Sequence, residues 1–560
     1  MMKMYLVVIV VALLNVVSHS QILIDESYDD WNDVVLYNDP IGDGSNFGDD
    51  FTAFQVTNDD EYLYFRIELR DEILLQEDNR INIYIDTDNN ANTGTIQAGI
   101  GAEIGFEFGD RRGFIRNGNA TNTIFHNDIG ITVLPSLSSK IFEFALSRTY
   151  FAGGTQFIDG TIAVACKDNR SGGDIIPNSA ADRLYTLVDN NNPTLPKFDF
   201  LKVGNGFRMM TYNSLFDGLF EFGQSQQQRR MIKAMDADIY TFVEIYDFNS
   251  GSIVDIIEDE TGYTDWDHAS EGSDTHVISK YPIKDHTNID GNGAYILDYE
   301  GNDMLIIVAH LPAGSNDESR QAEVDKIAAF IRDAKLGLNE FQLATNAPIL
   351  ITGDMNLYGN KRQRETLTTG DIINNNAYGP DASPDWDGTP LTAALPFASG
   401  LPQAVTWINP NSSFFPGRLD YTFYSDHTLD LTNTFCLNTN DMEDADLEVL
   451  GLNRNDSRSA SDHLPVITDF EIIEPNRQRD LTLEDINTRV FPNPTTNLLH
   501  IDSKTEISSI IIMDVMGEVV FRSNNISKEN TINATEWNSG TYLIQLITIK
   551  GSVTEKMFKF

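Results

Sequence analysis

Residues 348–356 read Pro-Ile-Leu-Ile-Thr-Gly-Asp-Met-Asn. Their apolar first half, Pro348–Thr352, is typical of a buried strand, and Asp354 and Asn356 follow it directly. A carboxylate and an amide at the end of an apolar strand project into solvent at the edge of a sheet. The stretch Met304–Ala309 (MLIIVA) predicts a second buried strand, which ends in a histidine. We therefore expect polar side chains to gather at one sheet edge.

Strands alternate with helices on both sides of this stretch. Gln224–Met235 is helix-like and leads into a strand at Ile239–Glu244, while Asp317 can cap a further helix. Buried strands with helices between them predict a layered α/β domain, which we place at residues 205–473.

The regions that flank this domain are typical of all-β structure. Short strands between Gly, Asn and Asp clusters, such as Tyr62–Leu69, predict a β-sandwich at residues 21–196. Residues 474–484 are polar and aperiodic, which predicts a linker, and short strands return in a small β-sandwich at residues 485–560. At 560 residues the chain exceeds the usual size of one domain, so we expect a multidomain protein.

The first twenty residues predict an export signal. Lys3 supplies the positive charge, Tyr5–Val17 is nearly all apolar, and Ser18–Ser20 offers small residues for cleavage before Gln21. An uncleaved anchor is the alternative, although the apolar stretch is short for a spanning helix. No later segment reaches the length that a bilayer demands, so we expect no integral membrane segment.

Charge is the outlying property of the composition. The chain has 39 basic and 84 acidic residues, which gives a net charge of −45. Such a surface repels nucleic acid and anionic lipid at long range unless basic residues cluster locally. Only Cys166 and Cys436 are present, so a disulfide framework does not hold this protein together. We expect the protein to be monomeric.

Six short segments place acids, amides and histidines at the ends of predicted strands. They are Met210–Asn213, Val243-Glu244, Val308–Pro312 with His310, Gly353–Asn356, Arg418–Tyr421 with Asp420, and Ser461–Pro465 with Asp462 and His463. Oxygen ligands of this kind suit Mg²⁺ or Mn²⁺. A histidine polarised by an aspartate can take a proton from water, and Asp420 with His463 could be that pair. Metal-assisted phosphoester cleavage needs this combination of groups.

In this order the six segments resemble the endonuclease/exonuclease/phosphatase superfamily, which includes pancreatic deoxyribonuclease, abasic-site endonucleases, sphingomyelinases and inositol polyphosphate phosphatases. The resemblance implies a four-layer α/β sandwich of the deoxyribonuclease-I type. It also implies that Glu244, Asn213 and Asp462 are metal ligands, and that Asp354 and Asn356 position the attacking water and the phosphate or hold a second metal. His463 would be the general base, oriented by Asp420, and His310 would be a second catalytic histidine.

Two departures from the family bear on the substrate. The deoxyribonuclease branch has an arginine just after the glutamate, where this chain has Tyr246, and abasic-site enzymes have a tyrosine at the position of His310. Basic residues that could contact a phosphate, or lie on an ordinary solvated loop, are Lys361, Arg362, Arg364 and Arg418. Trp386 and Trp407 could stack on a base or a sugar, or belong to the core.

Three functions are therefore open for the α/β domain. We expect an extracellular endonuclease first, and a phospholipid or sugar-phosphate phosphoesterase of the sphingomyelinase type second. A non-catalytic surface-binding protein is the competing class, although the complete set of candidate metal ligands and candidate bases disfavours it.

The predicted N-terminal sandwich carries a candidate structural calcium loop. Asp86, Asp88 and Asn90 place oxygen ligands at alternate positions, but the closing glutamate of an EF-hand is missing. An Asx-rich turn is the alternative. With Asp30-Trp31 and Phe65, this region resembles family 9 carbohydrate-binding modules, and the resemblance implies bound Ca²⁺ and a carbohydrate partner.

The C-terminal module has its own family signature. Pro492-Asn493-Pro494 opens it, and Gly540-Thr541-Tyr542 follows. These motifs resemble the C-terminal sorting domain of the type IX secretion system of Bacteroidetes. The resemblance implies that the secretion machinery is a partner and that the protein is secreted or displayed at the cell surface. An adhesion module is the structural alternative.

Overall fold

A computed structural model of the chain describes residues 22–44, 48–193, 195–473, 483, 486–505, 507–514, 519–523, 528–535, 537–548 and 551–560. The chain divides into two compact units, residues 1–472 and 473–560. The predicted export signal lies outside the described residues, as does the predicted linker 474–484 except for Leu483. Among the residues that the structure describes, no helix is both long and apolar enough to cross a membrane.

The N-terminal part of the first unit consists almost entirely of strands. After a 3-10 helix at Asp29–Asp33, its elements are β1 Tyr37–Asn38, β2 Phe51–Asn58, β3 Tyr62–Ile73, β4 Ile81–Asp86, β5 Thr95–Gln97, β6 Ile100–Ala102, β7 Ile104–Glu107, β8 Arg112–Asn117, β9 Ala120–Ile124, α1 His126–Ile129, β10 Thr132–Leu134, β11 Ser139–Ser147, β12 Thr149–Phe151, β13 Thr155–Phe157, β14 Thr161–Asp168, β15 Ile175–Ile176 and β16 Leu184–Thr186. We call described residues 22–193 the N-terminal β domain.

Two sheets of this domain share one hydrophobic core. One sheet has the order β1-β2-β3-β11-β10, and the other has the order β15-β14-β4-β7-β8-β9, with β16 also paired to β14. Alternate residues of each strand point inward, so Phe65 of β3 stacks on Phe144 of β11 with ring centroids 5.0 Å apart. Ile83 and Val164 of the other sheet join the same cluster.

The rest of the first unit alternates strands and helices. Its elements are β17 Phe207–Asn213, α2 Ser225–Met235, β18 Ile239–Val243, α3 Ser250–Thr261, β19 Asp267–Glu271, β20 Thr275–Ser279, β21 Ile283–Ile289, β22 Asn292–Tyr299, β23 Asn302–His310, α4 Asp317–Leu336, β24 Ile349–Asp354, α5 Arg362–Thr369, α6 Asn375–Tyr378, β25 Thr392–Ala393, β26 Asp420–Tyr424, β27 Leu429–Cys436, α7 Asp444–Leu450, α8 Asp456–Ala460 and β28 Val466–Ile472.

These elements form two six-stranded sheets with helices packed against them. One sheet has the order β19-β20-β18-β17-β28-β27 and the other the order β21-β22-β23-β24-β26-β25. Apolar residues of both sheets, such as Met209 and Val308, meet in one cluster between them. Helices α2 and α3 pack on the outer face of the first sheet, and α4 packs on the outer face of the second through Val324 and Ile327. The predicted layered α/β body is therefore present.

One local prediction about this body is wrong. Helix α4 begins at Asp317 itself, with Asn316 as the preceding cap residue. The Asp317 carboxylate instead accepts hydrogen bonds from the buried Arg320 and from Gln363. It therefore ties the start of α4 to α5.

The sequence predicts separate domains at residues 21–196 and 205–473. In the structure both regions lie in the first compact unit. Cys166 and Cys436 are buried and free, one in each part.

The second unit is a small β structure. Its strands are β29 Thr488–Phe491, β30 Leu498–Ser503, β31 Ile507–Asp514, β32 Val519–Ser523, β33 Glu529–Asn533, β34 Gly540–Thr548 and β35 Gly551–Lys559. They form sheets of order β29-β30-β33 and β32-β31-β34-β35. Ile501, Ile512 and Ile544 contribute to its own core.

Candidate active site

Strand pairing explains why the predicted site residues converge. Strands β17 and β18 run parallel, so Asn213 ends one strand beside the end of the other, which Glu244 follows. Strands β23 and β24 also run parallel, and the last pair in their register is His310 with Asp354. Strand β26 runs antiparallel to β24 and places Asp420 opposite Asp354.

A chain of buried threonines joins the two sheets beneath these residues. The Oγ1 atom of Thr211 lies 2.7 Å from that of Thr352 and 2.9 Å from that of Thr241. Thr352 also lies 2.9 Å from Thr422 of the neighbouring strand. Thr211 and Thr352 each precede a site residue by two positions, so this hydrogen-bonded chain fixes the spacing of the two strand ends.

Asn213 bridges the two central carboxylates. Its Nδ2 donates to Oε1 of Glu244 at 2.9 Å and to Oδ2 of Asp354 at 3.0 Å. Glu244 adopts a left-handed backbone with φ of 59°, which turns the chain sharply at the end of β18. Burial raises the pKa of the Asp354 carboxyl, although the nearby imidazoles oppose this shift. Two carboxylates held this close create a strong demand for positive charge.

His463 is buried against two carboxylates. Its Nδ1 lies 2.8 Å from Oδ2 of Asp420, and its Nε2 lies 3.5 Å from Oδ2 of Asp354. Burial alone would lower the pKa of His463, but the charges of Asp420 and Asp354 outweigh it and raise the pKa to about 10. The imidazole therefore has one nitrogen held by Asp420 and one directed at the central pair.

His310 repeats this arrangement on the other side of the central pair. Its Nδ1 lies 2.5 Å from Oδ2 of Asp274, and its Nε2 lies 3.7 Å from Glu244 and 3.9 Å from Asp354. The three carboxylates outweigh burial and raise the pKa of His310 to about 9. Burial would raise the pKa of Asp274, but His310 and the Glu244 N–H hold it below its ordinary value.

Sequence reasoning missed Asp274. It lies in Glu271-Gly-Ser-Asp274, which is typical of a surface turn, and no spacing relates it to His310. The antiparallel pairing of β20 with β18 carries it to the site.

Asp462 and Asn356 complete the floor of one cleft. Oδ2 of Asp462 accepts hydrogen bonds of 3.0 Å from the indole of Trp407 and the amide of Asn409. Oδ1 of Asp462 is buried and has no hydrogen-bond partner among the described residues. The backbone N–H of Asn356 donates to Asp354 at 2.9 Å. The cleft has a volume of about 290 Å³, and Glu244, His310, Asp354, Asn356, Asp462 and His463 line it.

The candidate site lies within a region that matches a known protein family. The sequence profile of the Endonuclease/Exonuclease/phosphatase family matches residues 210–463, which span every one of these side chains. Residues 210–463 are therefore an endonuclease/exonuclease/phosphatase (EEP) domain. Members hydrolyse phosphoester bonds, and the chain is a hydrolase of that class. The resemblance predicted from the six segments is confirmed.

A second profile, described as a secretion system C-terminal sorting domain, matches residues 489–559. This match confirms the predicted sorting module and indicates export by type IX secretion to the cell surface or the extracellular space.

Solved structures that are similar to the chain include the following three. The catalytic domain of human Nocturnin, with bound sulfate, is 15% identical, with a TM-score of 0.31 and coverage of 49% of this chain and 96% of that chain. A beta toxin from Staphylococcus aureus is 16% identical, with a TM-score of 0.31 and coverage of 47% and 99%. An endonuclease/exonuclease/phosphatase family protein from Leptotrichia buccalis is 14% identical, with a TM-score of 0.31 and coverage of 47% and 99%. No curated protein matches the chain.

The donor set of the EEP domain fits a divalent cation. One ligand atom each from Glu244, His310 and Asp354 lies within 4.8 Å of the others. Asp462 lines the same cleft, and its buried Oδ1 accepts no hydrogen bond from the described residues. This oxygen is a further candidate ligand. Carboxylate and amide oxygens are the ligands that Mg²⁺ and Mn²⁺ prefer.

None of the four basic residues, Lys361, Arg362, Arg364 and Arg418, lines this cleft. Lys361 pairs with Glu72 at 2.8 Å, Arg364 pairs with Glu26, and the buried Arg418 lies over the ring of Tyr421. Carboxylates already pair with Lys361 and Arg364, and Arg418 lies in the protein interior, so contact of these residues with a substrate phosphate stays a prediction.

The two tryptophans differ in their positions. The indole of Trp386 donates to the carbonyl of Ala347 and packs against the core. Trp407 lines the cleft.

The predicted calcium residues lie in the N-terminal β domain, away from these side chains in sequence. Asp86 and Asp88 form a cluster with Glu103, in which one oxygen from each lies within 4.8 Å of the others. Glu103, which sequence reasoning missed, offers a buried Oε1 without a hydrogen-bond partner among the described residues. The side chain of Asn90 instead accepts a hydrogen bond from the N–H of Asn92.

Proposed function

We propose that the protein is an exported, divalent-metal-dependent phosphodiesterase. One observation carries this proposal: two histidines, each backed by its own aspartate, face the same central carboxylate, Asp354. Nε2 of His463 lies 3.5 Å from Asp354, and Nε2 of His310 lies 3.9 Å from the same oxygen. Paired imidazoles on one cleft support a reaction that removes a proton on one side and delivers one on the other.

In the proposed reaction, the neutral form of His463 acts: its Nε2 takes a proton from a water molecule whose oxygen attacks the phosphorus atom. The bond between phosphorus and the leaving oxygen breaks, and His310 gives a proton to that oxygen. Asp420 and Asp274 accept the Nδ1–H of the two rings, which keeps each Nε2 directed into the cleft. The reaction consumes one water molecule and converts a phosphodiester into a phosphomonoester and an alcohol.

Glu244, Asn213, Asp354 and Asp462 are the proposed metal ligands. Asn356 is proposed to position the water and the phosphate, because its backbone is fixed on Asp354. A divalent cation held there supplies positive charge that stabilises the non-bridging phosphate oxygens in the transition state. Asn213 keeps Glu244 and Asp354 close enough to share one ion.

For the substrate, an extracellular endonuclease remains our first proposal from the sequence. A phospholipid or sugar-phosphate phosphodiesterase of the sphingomyelinase type is the alternative. A non-catalytic surface-binding protein is disfavoured, because such a protein needs neither the second histidine nor its buried aspartate partner.

The test is release of product from bis(4-nitrophenyl) phosphate, 4-nitrophenyl phosphate, DNA, RNA and sphingomyelin by the wild type and by Glu244→Gln. We expect turnover of a diester with Mg²⁺ or Mn²⁺, its loss with chelator, and a large loss in Glu244→Gln. Absence of turnover on every substrate with both metals contradicts the proposal.

A further inference from the structure

The wall of the cleft is built jointly by the EEP domain and the N-terminal β domain. Gln76 and Ser136 of the β domain line the cleft beside the catalytic histidines. Residues 408–419 of the EEP domain, here called the junction loop, lie against the β domain. The ring of Phe415 is buried in the β-domain core, with its centroid 5.6 Å from that of Phe106.

Polar contacts fix the junction loop from the β-domain side. The side chain of Gln76 accepts the N–H of Phe415 at 3.0 Å, and Ser136 accepts the N–H of Arg418 at 3.2 Å. The guanidinium of Arg111 lies 4.1 Å from the ring centroid of Phe414. The β domain therefore holds Phe414, which lines the cleft, in a defined position.

The junction loop is also tied to the catalytic floor. Trp407, which directly precedes it, pairs with His463 in a β-bridge. Trp407 and Asn409 both donate to Asp462 at 3.0 Å. The same segment thus holds a proposed metal ligand at one end and is anchored in the β domain at the other.

A second aromatic group lines the cleft from the loop after β17. Three consecutive non-glycine residues there, Leu215, Phe216 and Asp217, have left-handed φ values of 53°, 50° and 62°. Such a conformation is strained, and it persists where surrounding contacts enforce it. Here Asn213 accepts the N–H of Leu215 at 3.0 Å and Glu244 accepts the N–H of Phe216 at 3.2 Å. The candidate metal ligands therefore hold Phe216 at the cleft, where it is 67% exposed.

Outside the catalytic groups, most of the cleft lining is aromatic or aliphatic, beside the polar Gln76, Ser136 and Ser412. It includes Leu215, Phe216, Tyr358, Trp407, Phe414, Phe415 and Leu419. Among the described residues that line it, none is Lys or Arg. A binder of long nucleic acid gains its affinity from many phosphate contacts with cations, and this wall offers none.

We propose that this wall is a subsite for one planar aromatic group carried by an ester of the scissile phosphate, either the base of a nucleoside or an aryl ring. Phe216 and Phe414 are the stacking residues, and the N-terminal β domain is a working part of the active site. This inference rests on the proposed phosphodiesterase activity and, within it, favours small diesters that carry one ring over the polynucleotides that an endonuclease cuts. The volume of about 290 Å³ lies at the lower limit of small-molecule sites, so it suits one ring system rather than a duplex or a pair of acyl chains.

Calorimetric binding to the Mg²⁺-loaded, full-length protein tests the subsite without requiring turnover. Phenyl phosphate and methyl phosphate carry the same phosphate and differ in the ring. We expect phenyl phosphate to bind about five- to hundredfold more tightly, as expected for base–aromatic stacking. Thymidine 5′-monophosphate shows whether a nucleoside is a better source of the ring than an aryl group, and tight binding of either one supports the subsite.

Four variants, one of them a control, locate the ring. In Phe216→Ala and Phe414→Ala, the preference for phenyl over methyl phosphate falls to about twofold or less. Phe222→Ala is the matched control, since Phe222 is fully exposed and does not line the cleft, and it retains the wild-type preference. Phe414→Leu keeps an apolar side chain in the junction loop, and loss of the ring preference there, with methyl phosphate binding unchanged, separates stacking from a folding defect.

Three outcomes overturn the subsite: equal binding of phenyl and methyl phosphate, binding of octyl phosphate as tight as that of phenyl phosphate, or hydrolysis of duplex DNA faster than that of a dinucleotide. Failure of the proposed function looks different, because bis(4-nitrophenyl) phosphate then shows no turnover whatever the binding constants are.

Discussion

The Nδ1 atom of His463 lies 2.8 Å from Oδ2 of Asp420, although 43 residues separate the two in sequence. The contact follows from sheet pairing. Asp420 is the first residue of β26, directly across from Asp354 at the end of β24. His463 lies just before β28, which pairs with β17. The two members of the proposed His463–Asp420 pair therefore come from strand ends in different sheets.

Asp420→Asn tests this pair. We expect kcat to fall about 10²- to 10⁴-fold with little change in KM. The reason is that a neutral amide does not hold the Nδ1–H of His463 as the Asp420 carboxylate does. The double variant with His463→Ala should be no slower than His463→Ala alone, since both changes remove the same function. Asp426→Asn, an exposed aspartate just after β26, is the control. Losses that simply multiply in the double variant would contradict a shared role.

Asp274→Asn tests the second histidine. If His310 gives a proton to the leaving oxygen, the loss should depend on the leaving group. We expect a drop of about 10²-fold or more for a diester that releases an alkyl alcohol and a small drop for one that releases 4-nitrophenolate, which needs no proton.

A matched control is available in the same domain. Glu271→Gln changes another carboxylate–histidine contact, the 2.6 Å pair of Glu271 with the exposed His286. This variant should keep full activity on both substrates. Equal losses for both leaving groups in Asp274→Asn would remove His310 from the role of general acid.

Asp238 gives a pH-dependent contribution to stability. Burial alone would raise its pKa, but the Arg208 N–H, Lys202 and Lys280 donate to it and hold the pKa below its ordinary value. Because the folded pKa is lowered, the stabilisation is complete above the unfolded pKa of about 3.9 and is lost as the pH falls through the folded value. We expect Asp238→Asn to lower the free energy of unfolding by about 1–3 kcal/mol at pH 7.

Urea unfolding at several pH values measures this contribution. The difference between wild type and Asp238→Asn should shrink below about pH 4. Asp236→Asn is the control, since its side chain is 69% exposed and lies 3.7 Å from the same Lys280. That change should stay within about 0.5 kcal/mol. A difference that persists unchanged at low pH would show that charge on Asp238 is not its source.

Calcium binding by Asp86, Asp88 and Glu103 is a further prediction. At calcium about 100-fold above its Kd, the wild type should gain about 2.7 kcal/mol of stability. Asp86→Asn and Glu103→Gln should lose most of that gain, whereas Asp110→Asn, a surface aspartate beside Arg112, should keep it.

The variants, rather than the calcium response alone, locate the ion. Asp39, Asp43 and Asp174 form another acidic cluster in the same domain. Thermal unfolding that responds to calcium equally in Glu103→Gln and wild type would exclude Glu103 as a ligand.

Residues that follow apolar strands could be found from the sequence. Glu244, Asp354 and His310 each end a buried run, and a sheet gathers such ends at one edge. The alternation of strands and helices likewise predicted the layered α/β body.

Residues that depend on contacts between distant segments could not be found in this way. Asp274 looks like a turn residue, and only the pairing of β20 with β18 brings it to His310. Phe415 lies in the EEP domain by sequence, but its ring is buried in the core of the N-terminal β domain. Arg364 and Lys361 look like solvated cations, but they face Glu26 and Glu72 of the N-terminal β domain. No local pattern encodes these junction contacts.

The most direct measurement is the rate of 4-nitrophenol release from bis(4-nitrophenyl) phosphate by wild type and His463→Ala, with Mg²⁺ and with excess chelator. We predict turnover by the wild type only with the metal, and a rate at least about 10²-fold lower in His463→Ala. Turnover that survives the chelator, or that His463→Ala leaves unchanged, would contradict a metal-dependent phosphodiesterase with His463 as its base.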